Sequence, residues 1–204
     1  VYLGLDSKYK ETNSKNNYLN ISDFKNGYFL SVLSCVRYHN IMNLLKAYKK
    51  ICDKSKTTPN YCLVMQILDK DYFIELEKFI KKNMLEKKIT ILTNLSTNNL
   101  IGLYKKAKLY IFSSYCEVFG LTTIEAMSQG CPVLVSKSSA LPEINNSAAE
   151  YFDPDDHEDL STKLEELTLD QKKRNKLKKK GIEWSENFSW KKNTKMTFEI
   201  ITKV

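Results

Sequence analysis

From Tyr28 onward the chain alternates apolar runs with stretches of helical periodicity. Residues 28–35 form an apolar run that predicts a buried strand. Ile41, Leu44, Leu45 and Tyr48 then recur at helical spacing. Further strands are predicted at 61–67, 88–92, 108–113 and 132–136, with 149–152 a candidate sixth. Helices are predicted near 72–82 and 98–107. A short one is predicted over 122–129, where Gly130 and Pro132 supply a stop signal. Beyond Asp156 the pattern reads as helix. Before Tyr28, residues 1–27 are polar, carry Asn13, Asn16, Asn17 and Asn20, and read as a lead-in or linker.

Alternating strands and helices call for a parallel sheet covered on both faces. The expected fold class is therefore α/β, a Rossmann-like parallel sheet of about six strands flanked by helices. The expected partition is a lead-in over 1–27, the sheet domain over 28–188 and a C-terminal helix over 189–204. Such sheets bind ligands at the C-terminal ends of their strands. Attention therefore falls on the loops that begin near Cys35, Ile67, Thr93, Ser113 and Ser136.

Composition narrows the function classes. Of 204 residues, 42% are hydrophobic and 27% charged, with 6 Gly and 4 Pro, which is globular rather than fibrous or disordered. No apolar run is long enough to span a membrane, and residues 1–6 lack the features of a signal peptide. Val1 stands where an initiator Met would, so a piece of a longer protein is expected. The five cysteines are widely spaced and form no CxxC pair, which points to reduced thiols in a cytoplasmic setting. The net charge of +8 is concentrated in the run 172–180. That run reads either as a solvated helix face or as an attraction for anionic lipid or a phosphate-bearing substrate. Nucleic acid is not expected, because Arg is scarce and no aromatics interleave the basic run.

The loop after the fourth predicted strand carries the candidate chemistry. It runs Glu117-Val118-Phe119-Gly120-Leu121-Thr122-Thr123-Ile124-Glu125 and opens the short helix. Gly120 permits a positive φ or a close approach of backbone to ligand. The N–H groups of Leu121 to Thr123 then form a helix N-terminus suited to phosphate. Glu125 either complements the helix or accepts two hydrogen bonds from a ribose diol. Glu117 is either solvated or placed to grip sugar hydroxyls and offset charge developing at an anomeric carbon.

This segment, followed by Ala126-Met127, Gly130 and Pro132-Val133, resembles the E-x7-E signature of retaining GT-B glycosyltransferases of the group 1 (GT4-like) class. The flanks Ser139-Ala140-Leu141-Pro142-Glu143, Tyr151-Phe152-Asp153-Pro154, Phe188-Ser189-Trp190 and Tyr2-Leu3-Gly4-Leu5-Asp6 resemble further motifs of that family in the same order. The resemblance implies the C-terminal, donor-binding half of a GT-B enzyme, with an acceptor-binding half preceding Val1. It implies a nucleotide diphosphate sugar as donor and a glycan or lipid-linked acceptor; by analogy, the basic surface suggests peripheral contact with the inner membrane face. Glu125 inherits the ribose and Glu117 the transferred sugar. Backbone around Phe119, Gly120, Leu121 and Thr122 inherits the sugar and diphosphate, and Leu95, in the loop 93–95, the base. No metal and no cofactor are implied.

The sequence departs from the family where an Arg and a Lys usually bind the diphosphate. Those positions fall on Ser34 and His39, and Arg37 between them is the expected substitute, with His39 assisting. Gln66 replaces the family's glycine after the second strand. A degenerate binding module without turnover is the alternative. A dinucleotide-dependent dehydrogenase is excluded, since residues 34–39 contain no glycine.

Overall fold

The computed structural model describes residues 2–9 and 26–202. Asn13, Asn16, Asn17 and Asn20 of the lead-in lie outside the described residues. The elements run β1 (Tyr28–Cys35), α1 (Ile41–Lys54), β2 (Asn60–Ile67), α2 (Lys70–Lys82), β3 (Ile89–Leu92) and α3 (Thr97–Lys106). They continue β4 (Leu109–Phe112), α4 (Leu121–Ser128), β5 (Val133–Ser136), α5 (Leu141–Asn145), β6 (Glu150–Phe152), α6 (His157–Leu169), α7 (Gln171–Ser185) and α8 (Trp190–Ile201). All strand pairs are parallel, in the order β3-β2-β1-β4-β5-β6. The α/β, Rossmann-like expectation therefore holds. The chain winds outward in both directions from β1 and β4, so the loops after these two strands diverge and leave a crevice.

Every strand predicted from the apolar pattern is present, and the shorter ends have local causes. β4 stops at Phe112 because Ser113 turns its hydroxyl into a bond to His39 O at 2.7 Å. β5 starts at Val133 because Pro132 has no N–H for the ladder, although its carbonyl accepts from Tyr110 N at 2.8 Å. α5 was not foreseen: it is a five-residue helix entered through Pro142.

Buried tyrosines knit the core, and each hydroxyl finds a partner, as burial requires. Tyr48 Oη donates to Pro59 O at 2.8 Å, and Tyr61 Oη lies 2.9 Å from Ser31 Oγ. Tyr110 Oη lies 2.8 Å from Thr122 Oγ1. Tyr2 to Leu5 dock on the segment 188–193. Leu5 N–H donates to Phe188 O at 3.2 Å, and Asn193 Nδ2 donates to Tyr2 O at 2.7 Å. Gly4 permits this approach: a Cβ there would stand 2.2 Å from Trp190 N. By contrast α8 has no buried residue. Among the described residues no helix is long and apolar enough to cross a membrane.

Candidate functional site

A cleft of about 640 Å³ opens at the C-terminal edge of the sheet, at the divergence of the β1 and β4 loops. β1 contributes Val32, Leu33 and Ser34, and β2 contributes Val64, Met65 and Gln66. Asn94, Leu95 and Leu100 close the side near β3. Phe112, Glu117, Gly120, Leu121 and Thr122 form the opposite wall, with Tyr38 and His39 from the β1 loop. The volume falls in the range of small-molecule sites.

Gly120 sets the geometry of that wall. It sits at φ 76° as the N-cap of α4, in the left-handed region that favours glycine. A Cβ there would come within 2.7 Å of Leu141 Cδ2, whose side chain is fully buried. Its carbonyl accepts from Thr123 N at 2.9 Å and from Thr123 Oγ1 at 2.8 Å. Leu121 and Thr122 line the cleft, and as the first residues of α4 their N–H groups have no intrahelical acceptor at the positive end of the helix. Thr122 Oγ1 is held from below by Tyr110, so this turn is fixed before any ligand arrives.

His39 is buried and tied to its own loop. Its Nδ1 lies 2.6 Å from Ser34 O and 3.0 Å from Ser34 N, with the donor set by the tautomer. Its Nε2 faces Glu117 Oε2 at 3.9 Å. An imidazole from the loop after β1 and a carboxylate from the loop after β4 thus stand side by side on the cleft wall.

Several sequence-predicted residues meet here: His39, Leu95, Glu117, Gly120, Leu121 and Thr122 all line the cleft. Three do not. Arg37 turns outward, where its guanidinium forms a two-pronged pair with Glu75 of α2 at 2.6 and 3.1 Å and lies 5.0 Å from the centre of the Tyr72 ring. That pair raises the Arg37 pKa and lowers that of Glu75. Among the described residues, no Lys or Arg lines the cleft. Phe119 turns its ring away into an aromatic cluster, 5.8 Å from Phe188 and 6.3 Å from Tyr2. Glu125 is not among the lining residues, and its Oε2 accepts from Tyr104 Oη at 3.1 Å. Burial raises its pKa, against the lowering effect of hydrogen bonds from Tyr104 and Tyr9.

Tyr38, Met65, Leu100 and Phe112 were missed. Three are ordinary apolar residues inside predicted elements, and nothing in their spacing separates a wall from a core. The exposed Tyr38, within a loop already marked by the strand-end rule, was the detectable one. Two Asp-x-Asp pairs are turn devices: Asp69 caps α2 by accepting from Tyr72 N, and Asp153 accepts from Asp155 N. Among the described residues, no group of three acidic, His or Cys side chains could hold a metal ion.

The sequence profile described as "Glycosyl transferases group 1" matches residues 15–184. The chain is 31% identical over 156 residues to O-antigen chain mannosyltransferase RfbU of Salmonella typhimurium, covering 74% of this chain and 42% of that protein. It thus spans less than half the length of that curated relative. Anabaena Alr3699/HepE, solved in complex with UDP and glucose, superposes with a TM-score of 0.83 at 18% identity, covering 98% of this chain and 56% of that one. The C-terminal domain of a group 1 glycosyl transferase family protein (LpcC) from Francisella tularensis gives a TM-score of 0.77 at 20% identity. That match covers 90% of this chain and 97% of the other. At these identities the solved structures speak to the fold.

Proposed function

The chain belongs to the group 1 glycosyl transferases, and we propose that it is the donor-binding half of a retaining enzyme that uses a nucleotide diphosphate sugar. The carrying observation is the cleft wall in which the free N–H groups of Leu121 and Thr122 stand beside Glu117 and His39. Leu95 and Leu100 offer an apolar surface for the base. The start of α4 receives the diphosphate, with His39 adding charge when protonated. Glu117 faces the sugar. Glu125 reaches the ribose once it leaves Tyr104. No metal or cofactor takes part in this reading.

In the reaction, the bond from the anomeric carbon to the diphosphate oxygen breaks and its electron pair goes to the diphosphate. An acceptor hydroxyl attacks the same face, and its proton passes to the departing oxygen. Glu117 and the α4 N–H groups stabilise the opposite charges that develop. Relatives named as O-antigen chain mannosyltransferases support a mannosyl donor and a cell-envelope glycan or lipid-linked acceptor. The remaining length of such relatives supports a further half that carries acceptor contacts. The basic α7 supports peripheral contact with the inner membrane face from the cytoplasmic side.

The test is titration of the chain with UDP and GDP, alongside Glu125→Ala in the full-length enzyme. Binding of one diphosphate, and loss of donor affinity in the variant, are expected. Unchanged affinity and turnover in Glu125→Ala would overturn the ribose role. A second reading, a binding module without turnover, is favoured by the lack of Lys or Arg among the described cleft residues. Nucleotide binding without transfer by the full-length protein would select it.

A further inference from the structure

The His39 side chain is only 9% exposed, yet its Nε2 has no hydrogen-bond partner among the described residues. The rest of the residue is held. Nδ1 lies against the Ser34 backbone, and His39 O accepts from Ser113 Oγ at 2.7 Å. The ring stands edge-on to Tyr38 with centroids 4.6 Å apart, and 5.9 Å from the Phe112 ring. Turning the imidazole to find a partner for Nε2 would break these contacts. Glu117 Oε2, at 3.9 Å, is beyond hydrogen-bond reach but close enough for attraction. It is the charged group that faces the ring from the loop after β4. The other side chains against the imidazole are Ser34 of β1, Phe112 of β4 and the phenol of Tyr38. The start of α4 lines the same cleft, and among the described residues no Lys or Arg does. A diphosphate there meets a carboxylate, the unpaired N–H groups of Leu121 and Thr122, and no permanent cation.

We infer that His39 takes up a proton when a nucleotide diphosphate sugar binds, so that the cation of this cleft arrives with its ligand. This rests on the donor reading above. An imidazolium donates from both nitrogens. Nδ1–H then has Ser34 O as its acceptor at 2.6 Å, and Nε2–H is left for a phosphate oxygen. A diphosphate brings negative charge to a cleft that already holds Glu117, and a nearby proton offsets that repulsion. Lys or Arg would carry the same charge at every working pH, whereas an imidazole gains and loses it near neutrality. Donor affinity is thereby tied to pH. It is highest where His39 is protonated and falls as pH climbs and the proton becomes harder to acquire.

UDP-glucose and GDP-mannose are the probes, because their diphosphates keep a constant charge over about pH 5.5–8.5, where imidazole titrates. Calorimetry on the chain near pH 7, in PIPES and in Tris, should give heats that differ by the uptake of a proton with whichever donor binds. Affinity should be about tenfold lower at the alkaline end of the range than at the acid end. His39→Lys should bind without uptake and with a flat pH profile. His39→Gln should bind about tenfold more weakly, also without uptake, with thermal midpoints reporting intact folding. Donor binding that is indifferent to buffer and to pH, or proton uptake that persists in His39→Gln, overturns the inference and leaves the donor reading standing. Binding of neither nucleotide sugar at any pH removes the donor reading, and this inference with it.

Discussion

The Tyr104 hydroxyl donates to the Glu125 carboxylate at 3.1 Å, and Glu125 is not among the residues that line the cleft it is proposed to serve. Burial holds the carboxyl pKa above its ordinary value. A raised folded-state value means that the folded protein holds this proton more tightly than the unfolded chain. Stability from this group is therefore present below the ordinary carboxylate range and is lost as pH rises through the folded value. Glu125→Gln should remove that loss. The gap in Tm between variant and parent should widen in the variant's favour as pH climbs from the ordinary carboxylate range toward neutrality. Nucleoside diphosphate affinity should fall in the same protein, a trade of function for stability seen by calorimetry and titration together.

Tyr104→Phe tests the same contact from the other side. It removes the donor and leaves a half-buried carboxylate with less support, so stability at pH 7 should drop by about 1–2 kcal/mol in urea unfolding. A loss near zero would mean that Tyr9, the second phenol on Glu125, takes over.

Gly120→Ala should damage fold and binding at once. The left-handed φ alone costs about 1–2 kcal/mol, and the new Cβ would stand 2.7 Å from Leu141 Cδ2, so that buried side chain must shift. Chemical denaturation should show at least that loss. Displacement of the α4 start should weaken UDP or GDP about tenfold beyond any effect of unfolding.

His39→Ala discriminates phosphate contact from base contact. Affinity for the diphosphate should fall about tenfold, the scale of one charge-assisted hydrogen bond. Affinity for the corresponding nucleoside should barely move. Equal losses for both would place His39 elsewhere in the chemistry.

Cys116 is the exposed thiol, whereas Cys35, Cys62 and Cys131 are buried. Burial pushes the thiol of Cys35 up to about 11 and that of Cys62 up to about 12. Maleimide should label Cys116 first, as peptide mapping would show. Its neighbour Glu117 lines the cleft, so saturating nucleoside diphosphate should slow the labelling.

Apolar runs were enough to place five strands and a candidate sixth in a parallel sheet, though not their order, because strands covered on both faces leave continuous hydrophobic stretches. The motif loop was equally legible, since Gly120 and the helix start impose spacing on the chain. Arg37 was not, because sequence position gives the loop but not the direction of a long side chain. Glu75, in a helix more than thirty residues on, decides that direction. Glu125 shows the same limit: its tether, Tyr104, belongs to another helix and carries no local signal. His39 and Glu117 were visible as letters, but their adjacency exists only after β1 and β4 pair.

α8 carries Trp190, Met196, Phe198, Ile200 and Ile201 as exposed residues on twelve residues of helix. A helix of that length is marginal in water without tertiary support. Its amide protons should therefore exchange with deuterium far sooner than those of α4, within the same molecule. Adding a surface that covers the apolar side should slow that exchange before it alters anything else.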